Sequence, residues 1–258
     1  MKKLLTAAAL TAALPQAASA LPLVDFYAGA HYWDQTITGQ VGSGSDVADF
    51  EDDLNLDAGG QNVMYLAFEH PIPVIPNIKI KSTEMTADGS GTFTKTFKVG
   101  NDTISGSQGV VSDLDMSHTD YTLYWGLPLP IVTIDFGITA RQFDGYMRVD
   151  GGAGNSGSAD LDVTVPMGYL KAGVDIPLTG VSLGADLNTI SYGDTGITDF
   201  DVNVTYVLPV IPVLDVGISA GYRSFDFEID PEDFGGSSND LTAESTISGP
   251  YLGISLHL

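Results

Sequence analysis

Ser117, His118 and Asp120 lie within four consecutive positions and carry the side-chain types of a hydrolase. A serine activated by a histidine, which a carboxylate orients, is the arrangement of many acyl-transfer enzymes. In an extended strand, however, neighbouring side chains point to opposite faces, so Ser117 and His118 do not meet. We therefore predict a non-enzymatic protein with no catalytic residues, in which His118 is hydrogen-bonded to Asp120. A hydrolase whose nucleophile comes from another strand is the alternative.

A second candidate site is an acidic segment whose oxygen ligands suit Ca²⁺. Its members are Asp46, Asp49, Glu51, Asp52, Asp53, Asn55 and Asp57. The spacing from Asp53 begins like an EF-hand loop, but Ala58 stands where glycine is needed and Met64 where a bidentate glutamate is needed. We predict no defined metal site and no cofactor. Loose divalent-cation binding, bridging lipopolysaccharide phosphates, is the alternative to a solvated acidic loop.

The charge of the chain limits its possible binding partners, and its cysteine content limits how the fold can be stabilised. The chain has 33 acidic and 10 basic residues, a formal net charge of −23, and no cysteine. Such an acidic chain does not suit nucleic acid, because phosphate contacts require clusters of lysine and arginine. Without disulfides, the fold depends on other interactions.

The N-terminus has the pattern of a signal peptide. Lys2 and Lys3 precede an apolar stretch from Leu4 to Leu14, and Ala18 and Ala20 form a small-residue cleavage pattern. We predict a signal peptide over residues 1–20 and a single mature domain over residues 21–258. No later segment offers the roughly 18 apolar residues of a membrane helix, so the mature chain must bury its apolar residues differently.

Four segments repeat the order strand, proline turn, strand. They are residues 68–80, 125–138, 174–184 and 206–218. Proline lacks the N–H that a strand ladder needs, so each proline cluster marks a turn between two strands. With one strand before the first unit and one at the C-terminus, the count is about ten, with eight or twelve as alternatives. Between the units lie polar segments, predicted as loops, at residues 39–59, 88–112, 150–159, 193–197 and 230–240.

Apolar and polar residues alternate along these strands. Ile134, Phe136 and Ile138 share one parity, whereas Asp135, Thr139 and Arg141 share the other. Short turns at one end and longer loops at the other are typical of outer-membrane barrels, with the turns facing the periplasm. We therefore predict an all-β, closed, antiparallel, up-and-down transmembrane barrel in the cell outer membrane. Ile138 would contact lipid, and Thr139 would face a hydrated interior.

The same parity assigns charged residues to the interior. These are Glu69, Lys79, Lys81, Asp135, Arg141, Lys171, Asp175, Asp215 and Arg223. Opposite charges at one level of a narrow barrel can pair across it. We expect a narrow, cation-preferring or nearly closed passage. A surface binding protein or adhesin, acting through long acidic extracellular loops, is the second functional hypothesis.

One strand breaks the alternation. Leu170, Ala172 and Val174 share one parity, but Leu161 and Val163 have the other. One inserted residue would reverse the facing, so we predict a β-bulge near residues 166–168.

The C-terminal strand ends with apolar residues at every second position. Gly253, Leu256 and Leu258 resemble the C-terminal signal read by the barrel assembly machinery, although that signal usually ends in an aromatic residue. Over its mature length the chain resembles the small outer-membrane β-barrel proteins of proteobacteria, and its proline-rich turns resemble an uncharacterised family among them. The resemblance implies outer-membrane lipids and lipopolysaccharide as surroundings and the assembly machinery as a partner, but no activity.

Overall fold

The structure is a computed structural model that describes residues 24–43, 46–93, 96–99, 102–105, 108–127, 129–152, 155–211, 214–229 and 241–258. The predicted signal peptide and the predicted loop at residues 230–240 lie outside these ranges. Within them, every regular element is a β-strand. The described residues contain no helix with the length and hydropathy of a membrane span.

Sixteen strands follow one another along the described chain. They are β1 (Asp25–Ser43), β2 (Asp46–Asp49), β3 (Leu56–Asp57), β4 (Gly59–Glu69), β5 (Asn77–Thr83), β6 (Thr86–Phe93), β7 (Thr96–Val99), β8 (Asp102–Ser105), β9 (Gln108–Asp115), β10 (His118–Gly126), β11 (Val132–Asp150), β12 (Ser156–Ile176), β13 (Val181–Tyr192), β14 (Thr195–Ile211), β15 (Leu214–Ile229) and β16 (Leu241–His257).

Ten of the strands close into an antiparallel barrel, which confirms the predicted fold. Around the wall the order is β10-β5-β4-β1-β16-β15-β14-β13-β12-β11, and β10 pairs with β11 to complete the circle. The first and last strands are neighbours, with Tyr27 opposite His257. A closed barrel pairs the backbone groups that an open sheet would leave exposed at its edges.

Three of the four predicted proline turns lie at one end of the barrel, where they separate consecutive strands. In the fourth unit, Pro209 lies within β14 rather than in a turn, and residues 212–213 lie outside the described residues. The β4–β5 turn spans residues 70–76, the β10–β11 turn 127–131 and the β12–β13 turn 177–180. In the first of these, the backbone N–H of His70 donates to Asn77 Oδ1 at 3.0 Å. We call this end of the barrel the turn end and the opposite end the outer end.

At the outer end, much of the sequence predicted as loop is strand. β6 continues the direction of β5, β9 precedes β10, and Met116 N donates to Met85 O at 2.8 Å where both strands bend. β7 and β8 form a separate hairpin. The connection between β13 and β14 is reduced to Gly193 and Asp194. Polar composition suggested loops here, because these strands expose one polar face to water.

β12 contains no bulge, so that prediction is wrong. Its pairing with β11 runs without a register shift from Val132 opposite Val174 to Asp150 opposite Ser156. Met167 is buried inside, and Leu170 is exposed outside, on one uninterrupted alternation. The apolar residues move from the outward to the inward positions because the surroundings of the barrel change along the strand, while the alternation of the strand is unchanged. Near the turn end the outward residues are apolar, and near the outer end the inward residues are apolar.

Other barrel strands show the same change of polarity at a similar height. On β1 the outward residues are apolar from Phe26 to Tyr32, and Asp34 follows two positions later. On β11 the outward series is apolar up to Ala140 and continues with Gln142. We call the outward apolar zone the apolar belt and the remaining barrel towards the outer end the outer wall. Inside the outer wall lies a hydrophobic core that includes Ile37, Leu54, Met85, Val149 and Ile247.

Candidate functional site

A group of charged side chains fills the barrel interior where the belt meets the outer wall. Arg141 on β11 is 0 % exposed and makes two hydrogen bonds to Asp120 on β10, at 2.7 and 2.8 Å. Its Nη2 also donates to Asp199 on β14. Two strands lie between β11 and β14 in the wall, so this guanidinium connects distant parts of the barrel.

Arg223 and Lys81 complete the group. Arg223 on β15 makes two hydrogen bonds of 2.7 Å to Asp199, and its Nη1 donates to Thr83 on β5 at 3.1 Å. Lys81 Nζ lies 3.6 Å from carboxylate oxygens of both Asp120 and Asp199. We call these five residues, Lys81, Asp120, Arg141, Asp199 and Arg223, the charged layer. Bidentate guanidinium–carboxylate pairs of this kind are directional and hold their partners in fixed positions.

A second polar group lies nearer the turn end. Lys79 on β5 donates to Asp186 on β13 at 3.1 Å, and Tyr169 donates to the same carboxylate at 3.0 Å. Tyr124 donates to Glu69 at 2.7 Å. Between the two groups, Thr139 is 1 % exposed and donates to Asn188 Oδ1 at 2.7 Å. The interior at the height of Thr139 is therefore packed rather than hydrated, contrary to the prediction.

The remaining predicted interior charges lie close to the turn end. Asp135 is buried, with its Oδ2 4.0 Å from Lys171 Nζ. Asp175 is exposed and accepts a hydrogen bond from Ser182 at 2.6 Å. Asp215 is also exposed, 3.8 Å from His257. The two exposed aspartates lie at the rim because their strands end within one or two residues of them.

His118 does not bond to Asp120, so that expectation is wrong. Its Nδ1 lies 3.0 Å from the carbonyl oxygen of Met116, and its Nε2 is buried with no hydrogen-bond partner among the described residues. Its ring stacks against Phe225, with centroids 5.8 Å apart. Asp120 instead accepts two hydrogen bonds from Arg141. Ser117 accepts a hydrogen bond from Met85 N, so its hydroxyl belongs to the bend of the wall.

His118, Asp120 and Asp199 could together offer three metal ligands, since the nearest atoms lie within 4.8 Å of one another. The surroundings do not fit a cation, because two guanidinium groups and an ammonium group already neutralise the two carboxylates. In the acidic outer segment, Asp49 Oδ1 accepts hydrogen bonds from the backbone of Glu51 and Asp52. That carboxylate therefore stabilises a turn of its own chain.

Aromatic side chains close the interior just beyond the charged layer. Trp33, Phe143 and Phe225 are each 0 % exposed. The guanidinium of Arg223 lies over the Trp33 ring at 4.6 Å, and that of Arg141 lies over the Phe225 ring at 5.4 Å. These contacts join the charged layer directly to the hydrophobic core of the outer wall.

Asp186 and Asp199 are the principal interior residues that sequence reasoning missed. Both lie where polar and apolar residues alternate along a strand: Asp186 lies between Ala185 and Leu187 on β13, and Asp199 precedes Phe200 on β14. Extending the parity argument to these strands would have found them. Of the predicted assembly signal, Leu256 and Leu258 point outward, while Gly253 faces inward beneath the His31 ring.

No protein-family model and no curated protein matches the chain. Among solved structures, it resembles the outer membrane protease OmpT from Escherichia coli, at 10 % identity and a TM-score of 0.47, over 91 % of this chain and 97 % of that one. A Pseudomonas aeruginosa FadL homologue matches at 8 % identity and a TM-score of 0.31, over 91 % of this chain and 90 % of that one. The CymD monoaromatic hydrocarbon channel matches at 7 % identity and a TM-score of 0.33, over 90 % of this chain and 87 % of that one. At these values the likenesses carry no inference about activity.

Proposed function

We propose that this chain is an outer-membrane barrel protein with the apolar belt in the bilayer and the turn end towards the periplasm. Exposed side chains of the belt, such as Leu66, Ile138 and Leu252, are 63–66 % accessible. In water such a continuous apolar band would be costly, whereas lipid accommodates it. The outer wall, polar outside and apolar inside, then projects from the cell surface like a soluble β-domain.

Within that placement, we propose a closed barrel that conducts neither solutes nor ions at a measurable rate. The observation that carries this proposal is the position of Arg141, fully buried between Asp120 and Asp199 on different sides of the lumen. An ion passing this level would have to separate buried charge pairs, and beyond them it would meet Trp33 and Phe225. We also propose that the protein is not an enzyme, because His118 is 3 % exposed and packed between Phe143 and Phe225, where no substrate reaches it.

Planar-bilayer recording of the folded protein tests the closed lumen. We expect no channel events from protein that shows heat-modifiable migration. A double variant, R141A with F225A, removes one cross-lumen contact and one aromatic group and serves as the opened control. Steady conductance of the unchanged protein would contradict the proposal. A cation-selective reversal potential would then favour a narrow cation-preferring pore.

A surface-binding role is the second candidate, because acidic residues predominate on the outside of the outer wall. Exposed examples are Asp34, Asp88, Asp113, Asp144, Asp150, Asp160, Asp162, Asp226, Glu228 and Glu244. This surface would attract cationic partners, with divalent cations bridging to lipopolysaccharide as one mode. Proteolytic shaving that abolishes a cell-surface interaction while the barrel stays intact would support it.

A further inference from the structure

The turn end carries large apolar side chains that contact little of the protein. In the β4–β5 turn, Val74 is 85 % exposed, and Ile72 and Ile75 are about half exposed. Leu129 and Ile131 are similarly exposed in the β10–β11 turn, and Leu178 is fully exposed in the β12–β13 turn. Turns that lie in water are usually polar, so this composition requires another environment.

These side chains follow a continuous part of the wall, because the three turns belong to six neighbouring strands. The three turns connect β4 to β5, β10 to β11 and β12 to β13. Beside β4, next to the β1–β16 seam, the outward residues Phe26 and Leu258 are 53 % and 63 % exposed. With them the apolar rim runs along eight neighbouring strands, from β13 through β10 and β4 to β16. A bilayer surrounds a barrel completely and would cover this whole arc, whereas a protein docked at one turn would cover only part of it.

The backbone of the turns is suited to an apolar environment, where an unpaired N–H is costly. Pro71, Pro73 and Pro76 have no N–H to satisfy. Two of the other donors in that turn are paired: Ile75 N donates to Ile72 O at 3.3 Å, and Ile72 N donates to His70 Nδ1 at 3.2 Å. In the next turn, Leu129 N donates to Leu127 O and Val132 N to Pro130 O.

Two turn positions carry an apolar side chain on an unfavourable backbone conformation. Ile131 has φ 64° and Leu178 has φ 68°. Glycine or asparagine relieves this left-handed conformation, and a β-branched residue such as isoleucine is an outlier there. Leu178 is nevertheless fully exposed, and Ile131 is 56 % exposed. Their contribution must therefore come from outside the protein.

The height of the apolar belt is a separate reason to expect lipid around the turns. On β1 the outward apolar run from Phe26 to Tyr32 is about 20 Å long at about 3.3 Å per residue. With a strand tilt of about 40°, it covers about 15 Å along the barrel axis, and the run from Val132 to Ala140 on β11 covers about 20 Å. The apolar band of outer-membrane barrels is about 25 Å tall. The wall alone falls short by about 5–10 Å, and the turns lie directly at its lower edge.

We propose that the proline turns are immersed in the periplasmic leaflet, where Ile72, Val74, Ile75, Leu129, Ile131 and Leu178 form a ring of contacts with lipid acyl chains. This inference rests on the proposed outer-membrane placement and extends it. The barrel ends inside the leaflet instead of projecting into the periplasm. The ring fixes the depth of the protein in the membrane. A shift towards the periplasm would expose the apolar turns to water and bring lipid into contact with the acidic outer wall, and both changes are unfavourable.

The absence of cysteine from the chain allows single nitroxide labels at chosen sites. V74C and L178C report on the turns, I138C on the belt and D144C on the outer wall. Each labelled protein is checked for heat-modifiable migration and placed in vesicles of phosphatidylethanolamine and phosphatidylglycerol. Because Leu178 is fully exposed, its replacement leaves the fold intact even where a change at Val74 disturbs the first turn. Collisions with oxygen, which concentrates in hydrocarbon, are compared with collisions with a water-soluble nickel chelate.

We expect the labels at 74 and 178 to collide preferentially with oxygen, as the label at 138 does, and the label at 144 to prefer the chelate. A chelate preference at 74 or 178, with 138 still in hydrocarbon, would overturn the leaflet ring and indicate turns exposed for a periplasmic partner. A chelate preference at 138 as well would contradict the membrane placement itself.

Discussion

Lys81 and Asp199 meet in the centre of the barrel, with Nζ and Oδ2 3.6 Å apart, although four strands separate β5 from β14 in either direction around the wall. A contact between diametrically opposite strands crosses the whole lumen at that level, and it is one of the contacts on which the proposed closure rests. Because Asp199 also receives Arg141 and Arg223, one carboxylate anchors cations from three strands.

Removing one cation from the charged layer should be severely destabilising. We expect R141M to lose about 3–5 kcal/mol of unfolding free energy, because Asp120 and Asp199 are left buried without their main partner. Urea unfolding in detergent micelles, followed by loss of heat-modifiable migration, measures the difference. R148M is the matched control, since Arg148 is exposed on the outer wall over Tyr146, and its loss should cost about 1 kcal/mol or less. Equal effects of the two changes would contradict the structural role of the charged layer.

The boundary of the apolar belt can be tested on one face of one strand. Ile138 and Gln142 both point outward on β11, the first within the belt and the second above it. We expect I138R to cost about 2–4 kcal/mol or to prevent assembly, as charges facing lipid do. Q142R should change stability by less than about 0.5 kcal/mol. Refolding yield into lipid vesicles and urea unfolding provide the measurement, and a Q142R defect as large as that of I138R would place the boundary elsewhere.

The interior of the outer wall should respond to substitution like the core of a soluble protein. Ile247 is 1 % exposed within it, and I247A should cost about 2–5 kcal/mol through lost contacts and the cavity that remains. Val111, 55 % exposed on the outside of β9, provides the control, and V111A should have little effect. Protease resistance of the outer wall and thermal unfolding report on both. A neutral I247A would indicate a hydrated interior.

The C-terminal strand makes a separate prediction about assembly. If the assembly machinery reads this strand, as its resemblance to the C-terminal signal implies, we expect the double variant L256D and L258D to be exported but to remain unassembled. The same pair of substitutions at V174D and I176D, outward at the turn end of β12, controls for the cost of acids next to lipid. Outer-membrane levels of both proteins decide the matter. If the two variants assemble equally poorly, no special reading of the last strand is needed.

The sequence was sufficient for the barrel because its signals are local. Pro71, Pro130 and Pro177 mark turns wherever they occur, and the alternation around Ile134 needs no tertiary information. Local patterns also placed Arg141 and Arg223 inside. They could not show that Arg141 bonds to Asp199, since that contact depends on how far the sheet shears before it closes.

The errors have one physical origin. The bulge predicted from Leu161 and Val163 assumes that an outward residue is apolar along the whole strand. The polarity of a face follows the medium beside it, and β12 passes from one medium to another without changing its alternation. His118 was misassigned for a related reason. Its nearest neighbour on the same face, Asp120, was expected to be its partner, but a guanidinium competes more strongly for a carboxylate than a neutral imidazole does.

The charged layer also has a mechanical consequence. A hollow tube under lateral pressure flattens into an ellipse, because its wall can bend wherever the two sides are unconnected. Here the Lys81–Asp199 contact joins opposite walls and the Arg141–Asp199 contact spans two intervening strands, so flattening would have to stretch or crush these contacts. We therefore expect the cross-section to keep its shape under lateral pressure at the level of the charged layer. These contacts would stiffen the barrel against flattening.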